Sequence, residues 1–277
     1  MNGLVSAEEL RSELGDPRLR VLDATVLLDF PSDGGPPTIT SGRAGYDAGH
    51  LPGAAFADLI TDLSEPGSGL PFTVPSEERF AEAIAALGVG DDSGVVVYDQ
   101  GATAWATRLW WLLRYFGFED VRVLDGGQPA WEAAGGELST EPASHAPAAS
   151  FTARARPELL ASTDDVLAAT ADGGTCVVNA LDEDTFRAGR IPGTSHLAAG
   201  SLLDPDTGRV RPLEELRSTI AAVVPEDGPP PIAYCGGGIA ATVDVFALAL
   251  AGRDDAKLYD DSMTGWTADP ARPVETG

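Results

Sequence analysis

Short, continuously apolar runs rich in β-branched residues alternate along the chain with segments whose apolar residues recur at helical spacing. Val21-Leu22-Asp23-Ala24, Val95-Val96-Val97-Tyr98 and Cys176-Val177-Val178-Asn179 read as core strands. Glu77 to Leu87 carries Phe80, Ile84 and Leu87 on one stripe, with Ser76 as N-cap and acids in the first turn, which predicts a helix. Trp105 to Phe116 and Ala241 to Ala251 read as strongly apolar helices. Strands that are apolar throughout and alternate with helices predict parallel sheets covered on both faces. The expected fold class is α/β.

The pattern also repeats. Gly49-His50-Leu51-Pro52-Gly53-Ala54 returns as Gly189-Arg190-Ile191-Pro192-Gly193-Thr194. Val95-Val96-Val97-Tyr98-Asp99 returns as Pro231-Ile232-Ala233-Tyr234-Cys235. Val121-Arg122-Val123-Leu124-Asp125, followed by Trp131, returns as Ala256-Lys257-Leu258-Tyr259-Asp260, followed by Trp266. Three blocks in one order, each about 135–140 residues apart, describe two homologous domains. The expected division is residues 1–138 for the first domain, 139–156 for a linker and 157–277 for the second. The linker is rich in Pro, Ala and Ser and short of large apolar residues, so irregular, exposed chain is expected there.

Charge narrows the function. Against 18 Lys and Arg stand 43 Asp and Glu, a net −25 spread in ones and twos along 277 residues. Such a field repels phosphate backbones and anionic lipid, so neither nucleic acid nor a membrane is an expected partner. No apolar run approaches the ~18 residues of a membrane span. The N-terminus has neither the basic nor the apolar region of a signal peptide, so a cytoplasmic location with Cys176 and Cys235 reduced is expected.

Cys235 stands where ligands bind in parallel sheets, at the carboxyl end of a strand. After it come Gly236, Gly237, Gly238, Ile239, Ala240 and Ala241, leading into a helix. A glycine-rich turn before a helix N-terminus presents backbone N–H groups to an anion, which favours the thiolate form of a cysteine and would equally hold a persulfide. The alternative is a small buried cysteine before a tight turn. Cys176, inside a strand, reads as a small hydrophobe. The first half carries Asp99 at the position of Cys235, so only the second half can offer a sulfur nucleophile. The motif does not continue as a nucleotide-binding G-x-G-x-x-G, and His196 has no second ligand near it in sequence, so no metal is expected.

These features together resemble the two-domain rhodanese family, the thiosulfate and 3-mercaptopyruvate sulfurtransferases. The resemblance rests on the tandem repeat, the G-H-[LI]-P-G-A turn, Trp110-Trp111, Leu124-Asp125-Gly126-Gly127 and Tyr259-Asp260-Asp261-Ser262 with Trp266, and it covers about residues 4 to 270. It implies two rhodanese-like domains, each a mainly parallel sheet flanked by helices, the first inactive and the second catalytic. It further implies that Cys235 takes a sulfane sulfur from a small anionic donor and passes it, without a cofactor, to cyanide, a thiol or a thioredoxin-like reductant. Residues 236–241 occupy the place of the family's active-site loop. Ala241 stands where related phosphatases carry a phosphate-clamping Arg, which argues against that activity.

Departures from the family pattern bear on the donor. Gly236 and Gly237 leave no cationic side chain in the loop, which leans towards 3-mercaptopyruvate rather than thiosulfate. Gly237 also lacks the hydroxyl of the family's Ser/His/Asp relay, of which Asp58 is matched while Phe72 aligns near the expected His. The family's D-A-R is Asn179-Ala180-Leu181 here. Arg187 is the nearest surviving cation for a donor carboxylate or sulfonate, with Arg190 an accessory candidate; either could instead balance the acidic surface. These losses support an alternative reading as a persulfide carrier or sulfur sensor that turns over poorly.

Overall fold

In the first half the apolar runs pair as one parallel sheet. The computed structural model describes residues 3–29, 31, 37–143 and 145–277. The chain begins with β1 (Leu4–Val5) and α1 (Ala7–Glu13). Helix α1 is opened by a reciprocal cap: the Ser6 hydroxyl accepts from the Glu9 N–H and the Glu9 carboxylate accepts from the Ser6 N–H. Then follow β2 (Leu19–Asp23), the antiparallel hairpin β3 (Val26–Asp29) and β4 (Thr38–Ser41), α2 (Arg43–Ala48) and β5 (Ala55–Phe56). The half closes with α3 (Glu77–Ala86), β6 (Gly94–Tyr98), α4 (Ala104–Tyr115), β7 (Val121–Leu124) and α5 (Gly127–Ala133). The sheet order is β1-β7-β6-β2-β5, all parallel. Val95, Val96, Val97 and Tyr98 are fully buried, as a strand covered on both faces requires. Helix α4 is buried on every side from Trp105 to Tyr115, which its apolar composition already demanded.

The second half repeats the plan with fewer strands. Its elements are α6 (Thr163–Asp172), β8 (Val177–Asn179), α7 (Glu183–Ala188), β9 (Ser195–His196), α8 (Leu213–Ala221), β10 (Ile232–Tyr234), α9 (Ala241–Ala251), β11 (Lys257–Leu258) and α10 (Ser262–Thr267). The order β11-β10-β8-β9 is again wholly parallel and matches β7-β6-β2-β5 of the first half. A single parallel bridge, Leu160 to Leu258, takes the place of β1. Tyr234, Tyr259, Trp266 and Ile191 anchor this core.

The helices expected at 77–87, 105–116 and 241–251 form within a residue of those bounds. The hairpin, both α2 and α7, and the two-residue strands β1, β5 and β9 were not legible, because each is too short to show a period. The contacts divide the chain into one unit of Leu4–Pro66 with Val74–Arg154 and another of Ala155–Gly277 with Gly3 and Gly67–Thr73. The described residues 139–143 and 145–154 run with the first unit. Ser139 bridges His50, the Ala148 N–H donates to Ala85 O, Thr152 bonds Asp91, and the Arg154 N–H donates to Phe116 O.

Candidate active site

Strand β10 ends at Tyr234, and the next residue, Cys235, is a buried free thiol, 2% exposed. Two backbone bonds tie its loop to the start of α10: Met263 N–H donates to Cys235 O at 3.0 Å and Thr264 N–H to Gly236 O at 2.9 Å. The Thr264 hydroxyl adds a second bond to Gly236 O at 2.7 Å.

Ser262 completes the clamp. Its fully buried Oγ accepts from the Cys235 N–H at 3.0 Å and from the Gly238 N–H at 3.1 Å. Its own proton goes to Tyr259 O at 2.8 Å and is within reach of Cys235 Sγ at 4.0 Å. Ser262 sits at φ +52°, a left-handed conformation unusual for a non-glycine residue, and this is what aims the hydroxyl at the loop. Their place after the last strand, at the carboxyl end of the sheet, already offered Asp260 and Ser262 to Cys235 in the sequence, and the structure brings the Ser262 hydroxyl there; the bonds themselves, across 27 residues, leave no local pattern.

The three glycines differ. Gly238 has φ +77°, and a Cβ there would lie 2.5 Å from Asp260 Oδ1 and 2.7 Å from Asp260 O. No side chain fits. At Gly236 a Cβ would meet nothing within 4 Å, and at Gly237 only Thr264 Oγ1 at 3.9 Å. Among the described residues, the N–H groups of Gly236, Gly237, Ile239, Ala240 and Ala241 have no acceptor on the protein. They follow Cys235 directly and lead into the N-terminus of α9, where backbone dipoles favour an anion.

The other expected residues lie as follows. Arg187, in the last turn of α7, is 65% exposed in its side chain, with Nε 2.6 Å from Glu183 Oε1. The Arg190 guanidinium pairs with Glu275, donates to Gly277 O at 2.7 Å and lies over the Phe186 ring at 4.7 Å. Asp58, in the first unit, accepts from the N–H groups of Ile60 and Thr61 and from the Ser41 hydroxyl. Asn179 Oδ1 accepts from the Leu181 N–H at 2.8 Å. His196 is held between Glu183, 3.0 Å from Nδ1, and Leu181 O, 2.7 Å from Nε2. The Cys176 thiol reaches Val223 O at 3.6 Å, and burial pushes its pKa up. Among the described residues no group of His, Cys, Asp and Glu could hold a metal ion, and no helix is long and apolar enough to cross a membrane.

A family model described as the rhodanese-like domain matches residues 6–134 and 162–269. A probable 3-mercaptopyruvate sulfurtransferase of Pseudomonas aeruginosa is 37% identical over 290 residues, covering 99% of this chain and 98% of the relative. A putative thiosulfate sulfurtransferase of Mycobacterium tuberculosis is 34% identical over 290 residues, with 99% and 97% covered. Among solved structures, SseA of Escherichia coli, a 3-mercaptopyruvate sulfurtransferase, superposes with a TM-score of 0.84 at 32% identity, covering 95% of this chain and 99% of that one.

Proposed function

The chain belongs to the rhodanese-like family, and from that premise we propose that it is a sulfurtransferase working by double displacement through Cys235. The observation that carries this reading is the setting of the thiol: clamped by Ser262 at the end of β10 and followed by loop N–H groups that no acceptor among the described residues occupies. Those donors suit an anionic sulfur, in the manner of an oxyanion hole.

With thiosulfate, the Cys235 thiolate attacks the outer sulfur, the S–S bond breaks, and sulfite leaves with its electron pair. With 3-mercaptopyruvate, the C–S bond breaks instead, and the enolate of pyruvate leaves and takes up a proton. Either way Cys235 carries a persulfide, whose outer sulfur passes to cyanide as thiocyanate or to a thiol, and the thiolate returns. A thioredoxin-like reductant in the cytoplasm is the proposed thiol acceptor. The loop N–H groups of Gly236, Gly237, Ile239, Ala240 and Ala241 supply the stabilisation, with no cofactor. The bare Gly236 and Gly237 favour 3-mercaptopyruvate, because a dianion gains most from the cations this loop lacks.

Thiocyanate production from each donor, on wild type, Cys235→Ser and Cys176→Ser, tests the assignment. A rate that vanishes in Cys235→Ser and survives in Cys176→Ser supports it; equal loss in both, or no rate with either donor, overturns it. The pairing of Arg187 with Glu183 and of Arg190 with Glu275 favours a second reading, a persulfide carrier. Slow turnover with both small donors beside rapid uptake from a protein persulfide would select it.

A further inference from the structure

The first unit has lost the nucleophile but not the cradle. Asp99 follows β6 as Cys235 follows β10, and its fully buried carboxylate is wrapped by backbone donors. Oδ1 accepts from the Gly101 and Thr103 N–H groups, both at 2.9 Å. Oδ2 accepts from the Trp105 and Ala106 N–H groups, both at 3.1 Å. All four partners are donors, the arrangement that offsets the desolvation of a buried anion. The backbone frame is also the same. Gln128 N–H donates to Asp99 O at 2.9 Å, as Met263 N–H does to Cys235 O. Gly127 at φ +58° stands where Ser262 stands, and a Cβ on it would lie 2.4 Å from Asp99 O.

We propose that the N-terminal unit keeps a complete anion-binding cradle whose permanent ligand is the Asp99 carboxylate. Asp99 occupies the place of an anionic sulfur and closes this copy to sulfur donors and other small anions. Once the carboxylate is removed, the same four N–H groups accept a small carboxylate or oxyanion from solution. This inference rests on the first unit alone and stands whether or not Cys235 turns over.

The test is thermal unfolding of wild type and Asp99→Ala, with sodium formate against sodium chloride at equal ionic strength. Tryptophan fluorescence reports mainly the first unit, which holds Trp105, Trp110, Trp111 and Trp131 against Trp266 of the second. Asp99→Ala should unfold at lower temperature, and formate should return a saturating rise of roughly 5 °C that chloride does not give and wild type does not show. No formate-specific rise, or an equal rise in wild type, overturns the proposal. If Asp99→Ala does not fold, Asp99→Cys in a Cys235→Ser background decides. Its thiolate absorbance should titrate at least about one pH unit below the ~8.5 of a free cysteine. Titration at or above the free value overturns it.

Discussion

Ser262 Oγ lies 3.0 Å from the Cys235 backbone nitrogen and 4.0 Å from its sulfur, so one side chain holds both the loop and the approach to the thiol. The first unit has Gly127 at this position, and there the occupant is a carboxylate with its own ring of donors. The hydroxyl is therefore found in the copy with the cysteine. As charge builds on the sulfur, the Ser262 proton can turn from Tyr259 O towards it. Ser262→Ala, which also removes the hydroxyl that accepts from the Cys235 N–H, is expected to lower kcat by roughly 10- to 100-fold, somewhat less than the ~10²–10³ for loss of one oxyanion-hole donor. Ser262→Gly relieves the left-handed φ and should fold as well as wild type while losing a similar factor. Steady-state thiocyanate formation with both donors reads the effect, and a change confined to KM would contradict it.

The glycines of the loop should respond unequally to alanine. Gly238→Ala places a methyl against Asp260 and forces a left-handed φ on a residue that resists it, a strain of about 1–3 kcal/mol before the clash is counted. Activity should fall at least about tenfold, a loss of alignment between sulfur and donors. Gly236→Ala points into open space and should stay within about threefold of wild type. Parallel kinetics of the two variants check the contrast; similar losses in both would mean that the loop needs glycine for mobility and not for fit.

The contrast shows what the sequence could and could not convey. The triple glycine marked the loop, but nothing in it said that Gly238 alone is sterically required, because Asp260 reaches it only once β11 has folded beside β10. The long helices were legible because eleven or so residues of apolar stripe average out local ambiguity. Cys235 was legible because a thiol, a glycine turn and a helix start are consecutive in the chain. Ser262 was legible only as a residue after the last strand that could approach Cys235, because its bonds, like the anchoring of Arg190 by the C-terminal residues, span tens of residues and leave no local pattern.

Asp244 should limit stability at neutral pH. It lies in the first turn of α9, fully buried, with neither carboxyl oxygen hydrogen-bonded, and burial pushes its pKa well above the usual carboxylate range. The folded chain thus keeps a proton that the unfolded chain releases above about pH 3.9. Stability is lost as pH rises from there towards the raised folded value, the reverse of the usual salt-bridged carboxylate. Asp244→Asn cannot ionise, so its unfolding midpoint should fall less than that of wild type as the pH is raised above the unfolded-chain value of about 3.9. Asp244→Leu, which also removes the unpaired oxygens, should gain about 1–3 kcal/mol at neutral pH. Midpoints that run parallel in wild type and Asp244→Asn would mean that the carboxyl finds a partner in solution.

The two arginines flanking the Gly189 turn should separate stability from catalysis. Arg190 holds Glu275 and Gly277 O and covers Phe186, so the C-terminal residues are pinned to the turn through it. Arg190→Ala gives up a partly shielded ion pair, a charge-assisted bond to a carbonyl and a stacked ring together. A loss of about 1–2 kcal/mol in stability is expected, with kcat/KM for 3-mercaptopyruvate within about twofold. Arg187 is exposed and makes an i,i+4 pair with Glu183, a contact worth little in water. Its alanine variant should therefore leave stability within about 0.5 kcal/mol. Kinetics then decide whether it serves the donor. An unchanged KM leaves anion binding to the loop N–H groups, whereas a KM raised about tenfold means that the guanidinium exchanges Glu183 for the donor carboxylate, since one such charge-assisted pair is worth about 1.4 kcal/mol or more.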